Sequence, residues 1–117
     1  MISKTNPLYV KADLLARETY KVVLLFPKFE MYGLSSQLRR AIISVILNII
    51  EGFARQSKKE FRRFLLMSFG SLEEGRYILE FANKQKYFDD NKYNELNKLL
   101  DEVAKILWSI INKEEEN

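Results

Sequence analysis

The segment from residue 37 to residue 55 constrains the fold most, because it is an apolar helix with one narrow polar seam. The rest of its circumference is mostly Leu, Ile, Val and Phe. A surface helix of a small globular protein is usually apolar on one side only, so this one needs cover from several directions. We expect other copies of the chain to supply part of it. The seam residues recur every three or four positions and lie on one stripe: Gln37, Arg40, Ser44, Asn48, Glu51 and Arg55.

The composition limits the function classes that are open to the chain. Its 117 residues fit one domain with a substantial core, and only four Gly and two Pro disfavour a sheet-rich fold. There is no Cys and no His, so disulfides, thiolate metal sites and the usual general base are missing. We therefore expect no enzyme, no cofactor and no metal. The N-terminus lacks a signal-peptide core and no apolar run is long enough to span a bilayer, which predicts a cytoplasmic protein without a membrane partner.

Proline and helix-capping residues divide the sequence into four predicted helices. Pro27 ends the first helix, and Ser35 or Ser36 is a plausible N-cap of the second. Ser57 and Glu60 fit a capping box, so the third helix starts directly after Ser57. Short connections favour antiparallel neighbours. The sequence predicts an all-α, up-and-down antiparallel four-helix bundle occupying residues 1–117, with helices at about 8–26, 36–55, 58–86 and 90–112.

The last two helices carry recognisable apolar faces. On the third helix we expect a core face of Phe61, Phe64, Leu65, Leu72, Leu79 and Ala82. The fourth helix has a heptad seam of Leu96, Leu100, Val103, Leu107 and Ile110. The third helix also holds small residues, which either let another helix approach closely or are simply tolerated: Ser68, Gly70, Ser71 and Gly75.

Charge is concentrated near the start of the third helix. The net charge is +3, yet residues 34–63 hold seven basic and two acidic residues, and residues 89–117 hold four basic and eight acidic residues. Cations in the first turns of a helix oppose its macrodipole, so something should offset them. Nucleic-acid phosphate is one candidate. We call five residues the basic cluster: Arg55, Lys58, Lys59, Arg62 and Arg63.

Internal compensation is the alternative. In an up-and-down bundle the end of the fourth helix lies beside the start of the third, so residues 114–116, all Glu, would face the basic cluster. Arg40 lies about 22 Å from Arg55 along the second helix, so the positive charge does not form one patch on a single subunit. Arg39 points into the apolar side, which predicts an ion pair with Glu30 or a snorkelling contact.

The polar seam is a second candidate site. Asn48, Glu51 and Arg55 are neighbours on the helix, and Glu51 with Arg55 forms an i,i+4 pair. Catalysis would need a second group beside a perturbed Glu51, and the sequence offers none. We therefore interpret Gln37, Ser44, Asn48 and Glu51 as a buried structural network that fixes register and subunit contacts.

Four linked motifs stand out: Phe26, Pro27, Glu30, Gly33 and Leu34; Gln37, Arg39, Arg40 and Ala41; Ser44, Asn48, Ile49, Glu51, Gly52 and Arg55; and Phe61, Arg63, Phe64, Leu65, Gly70, Ser71, Leu72 and Glu74. Together they resemble the four-helix-bundle proteins encoded in intervening sequences of bacterial 23S rRNA genes. The resemblance covers nearly the whole chain, although that family often has Pro where Ile46 stands and Leu where Gly75 stands. It implies an up-and-down bundle assembled as a homopentamer. The chain is also similar to accessory proteins of diversity-generating retroelements, which form basic pentamers that bind nucleic acid and a reverse transcriptase.

Together these features predict a non-enzymatic, oligomeric accessory protein that binds RNA or DNA. The expected contacts are Arg40, Arg55, Lys58, Lys59, Arg62 and Arg63. The alternative is a protein-interaction scaffold without nucleic-acid contact, whose partner docks on the small residues of the third helix or on the fourth helix. The partner in that case is another protein. The similarity to the retroelement accessory proteins separately implies a reverse transcriptase as a possible partner.

Overall fold

The computed structural model describes the backbone of residues 1–116 and the side chains of residues 1–113. Within that part of the chain there are four α-helices and no strand, so the prediction of an all-α four-helix bundle is confirmed. A short 3-10 helix, Lys28–Glu30, lies in the first connection. The helices are α1 (Pro7–Val23), α2 (Leu34–Ala54), α3 (Lys58–Lys84) and α4 (Asp90–Glu116).

The helices follow one another around a square. Each contacts the next one in sequence, and α1 closes the square against α4. Cross-helix contacts show that neighbours are antiparallel. Ser68 Oγ of α3 donates to the Val45 carbonyl of α2 at 2.7 Å, and Gly52, later in α2, lies against Phe64, earlier in α3. Between α1 and α4, Lys92 Nζ donates to Glu18 at 2.8 Å, and Lys11 pairs with Glu102. The result is a rod of 45 × 25 × 23 Å.

The core is aliphatic and runs the length of the rod. Both predicted apolar faces are largely correct, since only Phe61 on α3 and Ile110 on α4 are half-buried rather than buried. At the end of α4, Ile111 takes the fully buried position instead. The largest fully buried side chains are Leu8, Leu15, Leu38, Ile42, Ile49, Leu65, Leu72, Leu79, Leu96, Leu100, Leu107 and Ile111.

The chain itself covers most of α2, which weakens the argument that other copies must do so. Five large apolar side chains of α2 are buried: Leu38, Ile42, Val45, Ile46 and Ile49. Apart from Leu47, its other large apolar side chains are half-buried. Close approach by α3 makes this possible. Ser71 hydrogen-bonds Ser44, and a methyl group added at Gly75 would already lie 3.5 Å from Ile42. The small residues of α3 are thus occupied by α2, except for Gly70, which faces open space. Leu47, 57% exposed, is the large apolar side chain of α2 that remains at the surface.

Two predictions at the first connection are wrong. The first helix ends at Val23 rather than near Phe26, because the chain tightens into i→i−3 turns before Pro27: Leu25 N–H donates to Val22 and Phe26 N–H to Val23. Neither Ser35 nor Ser36 caps α2, since the helix already begins at Leu34. The side chain of Glu30 accepts from the Leu34 amide instead, at 3.1 Å.

The remaining helix ends either agree with the prediction or differ from it by a few residues. Ser57 caps α3 as predicted, accepting from the Glu60 amide at 3.1 Å. That helix ends at Lys84, two residues earlier than expected, because Lys86 adopts a left-handed φ of 62° and the Tyr87 amide bonds back to the Ala82 carbonyl. The last helix continues to Glu116, beyond its predicted end near residue 112.

The ion pairs between α1 and α4 are partly sheltered. Hydrogen bonds from Lys21 and Lys92 lower the pKa of Glu18 to about 2. The Glu18 bond raises the pKa of Lys92. Because the pKa of Glu18 is lowered in the folded state, its ionised form stabilises the fold at any pH above the ordinary carboxyl pKa. This contribution is lost as the pH falls towards 2. These pairs therefore help to close the bundle at neutral pH.

One buried hydroxyl lacks a partner and yields a stability prediction. Thr19 is fully buried, and its Oγ1 has no hydrogen-bond partner among the residues that the structure describes. Thr19→Val keeps the shape and removes the desolvated hydroxyl, so we expect the free energy of unfolding to rise by about 1–2 kcal/mol. Urea titration should show a higher midpoint with an unchanged m-value. Thr5→Val, at an exposed position, serves as the control, and its free energy of unfolding should stay within about 0.5 kcal/mol of wild type. If Thr19→Val were less stable than wild type, the Thr19 hydroxyl would not be an unsatisfied buried group.

Candidate nucleic-acid interface

The joint between α2 and α3 is tight because a glycine lets the two helices meet. Only residues 55–57 separate the helices. A methyl group added at Gly52 would lie 3.1 Å from Phe64 Cβ and 3.3 Å from the Phe61 carbonyl oxygen, closer than packed carbon atoms normally approach. Phe53 and Phe61 pack edge to face across the joint, with ring centroids 5.0 Å apart. The first turn of α3 is thereby held against the last turn of α2.

Two arginines of the basic cluster lie against one aromatic ring. The guanidinium carbons of Arg55 and Arg63 lie 4.8 and 4.7 Å from the centroid of the Phe64 ring. Phe64 itself is almost completely buried, so its ring is a fixed platform. Both distances are within the range of a cation–π contact. The arrangement brings together a cation of the α2–α3 connection and a cation of α3.

Each of these arginines also has a carboxylate partner three or four residues earlier in the chain. Arg55 pairs with Glu51, and Arg63 makes a two-point contact with Glu60 at 2.8 and 3.1 Å. The Arg63 hydrogen bond lowers the pKa of Glu60, and the same bond raises the pKa of Arg63. A guanidinium has five N–H donors, so one carboxylate leaves donors available. The pairs orient the arginines without using up their binding capacity.

The two lysines of the basic cluster are exposed. Lys58 and Lys59 occupy the first turn of α3, and neither forms an ion pair with the side chains described at residues 1–113. Among the side chains that the structure describes here, the cations Arg55, Lys58, Lys59 and Arg63 outnumber the carboxylates Glu51 and Glu60 by two. This surplus is accessible to solvent at one end of the rod.

Arg62 differs from the rest of the basic cluster. It is half-buried, and its Nε donates to the Ile111 carbonyl of α4 at 3.3 Å. The side chain therefore ties α3 to α4, and the contact shows that the end of α4 lies beside the start of α3. The predicted compensation by residues 114–116 concerns side chains outside the described residues.

The arginines near the other end of α2 lie apart from this cluster. Arg40 is exposed, one seam position before Ser44, and about 22 Å along the helix from Arg55. Arg39 is half-buried and lines an apolar depression with Val23 and Phe26.

The predicted ion pair between Arg39 and Glu30 is not formed. Instead Glu30 accepts from the Leu34 amide and from the hydroxyl of Tyr87, the latter at 2.9 Å. Burial, together with that hydrogen bond, raises the pKa of Tyr87. Glu30 thus joins the connection before α2 to the one before α4.

Only the middle of the polar seam forms a part-buried network. Ser44 Oγ lies 2.8 Å from Ser71 Oγ, and Asn48 Nδ2 donates to the Ser44 carbonyl at 2.8 Å and to its hydroxyl at 2.9 Å. Gln37 and Glu51 are exposed, so the predicted buried network does not extend to them. The middle of the seam fixes the register of α2 against α3.

Other kinds of site find little support in the described part of the chain. Among those residues no three His, Cys, Asp or Glu side chains are grouped so that they could hold a metal ion. None of the described helices combines the length and apolar character needed to cross a bilayer.

Comparison with known proteins gives a family. A family model described as 23S rRNA-intervening sequence protein matches residues 4–109. The chain belongs to this family. Its fold is similar to the crystal structure of a protein with unknown function from the S23 ribosomal protein family of Bacteroides thetaiotaomicron VPI-5482. That protein is 26% identical, with a TM-score of 0.80, over 89% of this chain and 97% of the other. No curated protein matches the chain. The resemblance given by the sequence motifs is therefore confirmed.

Proposed function

We propose that this member of the 23S rRNA-intervening sequence protein family is a non-enzymatic, oligomeric accessory protein that binds the RNA or DNA backbone. The observation that carries the proposal is the placement of Arg55 and Arg63 on the ring of Phe64, beside the exposed Lys58 and Lys59. Guanidinium groups suit phosphate because they donate two parallel hydrogen bonds. Contacts to phosphate carry no sequence information, so binding through this cluster would be independent of sequence.

The remaining predicted contacts have lesser parts in this proposal. Arg62 holds α4 through the Ile111 carbonyl and thereby supports the joint. Arg40 is too far from the joint to share a phosphate with it on one subunit. It would contribute where a nucleic acid runs along the rod or crosses between subunits.

Assembly would multiply the effect of the joint. The chain exposes many large apolar side chains, among them Leu24 at 84%, Phe29 at 77% and Tyr32 at 92%. Large exposed apolar side chains concentrated in one short segment are typical of interaction sites. We propose association into a homo-oligomer, for which the resemblance implies five subunits. Several basic clusters on one particle would raise affinity through effective concentration.

Salt dependence tests the proposal directly. Labelled single-stranded and duplex RNA and DNA should be retained at about 50 mM salt and released steeply towards about 200 mM, with a log–log slope that counts the neutralised phosphates. Light scattering on the same sample should give a mass above the 13.9 kDa of one chain. Loss of retention at the lowest salt would refute nucleic-acid binding, and a monodisperse monomer at micromolar concentration would refute the assembly.

The exposed apolar residues before α2 favour one alternative, a protein-interaction scaffold. Leu24, Phe29 and Tyr32 are all within nine residues of one another and lie at the end of the rod opposite the basic cluster. A partner protein, such as a reverse transcriptase, would cover them. Two results together would favour this function: the protein captures one defined protein partner even after nuclease treatment, and it retains no labelled oligonucleotide.

A further inference from the structure

The outer groove between α3 and α4 contains a half-exposed tryptophan above an open cavity. Trp108 is 49% exposed, and its indole packs on Phe69 with ring centroids 5.2 Å apart and a tilt of 41°. The cavity has a volume of about 410 Å³ and is lined by Phe69, Ala104, Lys105, Trp108 and Ser109. We call it the aromatic cavity. The sequence pattern does not predict this cavity.

The aromatic cavity lies next to the basic cluster. Trp108 is one helical turn before Ile111, whose carbonyl accepts from Arg62. Phe69 is seven residues after Arg62 on the same face of α3, which corresponds to about 10 Å along the helix. Lys58 continues that face towards the start of α3, and Lys105 lines the cavity itself. The exposed Lys58, about 16 Å along α3 from Phe69, and Lys105 therefore flank an aromatic surface at a separation that two or three nucleotides can span.

We propose that the aromatic cavity binds an unpaired nucleobase, which stacks on Trp108 while the adjoining phosphates contact Lys105 and the basic cluster. The inference rests on the proposed nucleic-acid binding and specifies that its preferred ligand is single-stranded. An aromatic platform beside a basic track is how proteins hold single strands without reading their sequence. A duplex keeps its bases stacked inside and cannot reach the indole.

Trp108 is the only tryptophan in the chain, so its fluorescence reports on this cavity alone. Titration with a thymidylate oligomer at low salt should quench the emission strongly, and added salt should restore it. A duplex of the same length should leave the emission nearly unchanged. Trp108→Ala should lower the affinity for the single strand by about 5- to 150-fold, the range expected for one stacked base, with duplex affinity unchanged.

The control is Tyr77→Ala, which removes another exposed aromatic from the outer face of α3 at a distance from the basic cluster. It should leave single-strand affinity within about twofold of wild type. Single-strand binding with no quenching and no effect of Trp108→Ala would overturn the inference while leaving backbone binding intact. An indole that is inaccessible to acrylamide in the free protein, because another copy covers it, would also overturn it. Failure to bind either form of nucleic acid would refute the proposed function as well.

Discussion

Lys59→Glu combined with Arg63→Glu is expected to lower the affinity for RNA by about a hundredfold at about 50 mM salt. Each replacement removes one phosphate contact and adds a repulsive charge, so the log–log salt slope should fall by about two. Arg63→Glu also removes a cation from the Phe64 ring and breaks the pair with Glu60. Fluorescence anisotropy of a labelled oligonucleotide over a series of salt concentrations measures both quantities.

A matched control separates local contacts from net charge. Lys28→Glu with Lys98→Glu makes the same change in total charge at exposed positions outside the basic cluster, Lys28 at the far end of the rod and Lys98 on α4. This variant should lose less than about tenfold in affinity and keep most of the salt slope. Equal losses in the two double variants would show that only overall charge matters, which would refute the assignment of the joint as the interface.

Gly52→Ala is expected to destabilise the fold by about 1–2 kcal/mol, although alanine is the better helix former. The added methyl would press on Phe64 Cβ and on the Phe61 carbonyl, which belongs to the backbone and cannot rotate away. Overpacking of this kind costs more than the roughly 1 kcal/mol gained from helix propensity. Because Phe64 carries Arg55 and Arg63, affinity for RNA should also fall. Urea denaturation and anisotropy measure the two effects.

Gly70→Ala is the comparison that isolates packing from propensity. Nothing lies within 4 Å of a methyl group at Gly70, so this variant should gain about 1 kcal/mol and bind RNA as the wild type does. If the two alanine variants were equally stable, the close approach of α2 and α3 at Gly52 would not be a real constraint.

Periodicity predicted the helices well because it depends on local spacing, but it could not predict how fully α2 is covered. The apolar positions around a helix indicate how much of its surface must be buried. They do not indicate how closely the neighbouring helices approach. Gly52 and Gly75 let α3 come near enough to do more of that work than expected. The need for other copies now rests on exposed side chains elsewhere, such as Tyr32.

The candidate site was predictable in outline only. The run of cations at the start of α3 is visible in the sequence, but long side chains reach partners that spacing does not specify. Arg62 bonds a carbonyl of α4, and Arg39 lies in an apolar depression without Glu30. The exposure of Trp108 could not be predicted either, because it depends on the width of a groove that only packing determines.

The three-residue connection between α2 and α3 also has a kinetic consequence. Contacts across it join residues close in sequence, so this hairpin closes a short loop at little entropic cost. The pairs that bring α1 to α4, such as Lys11 with Glu102, span most of the polypeptide and must form after a long search. The arginine pair on Phe64 would therefore be assembled early, in a nascent hairpin, before the first and last helices meet.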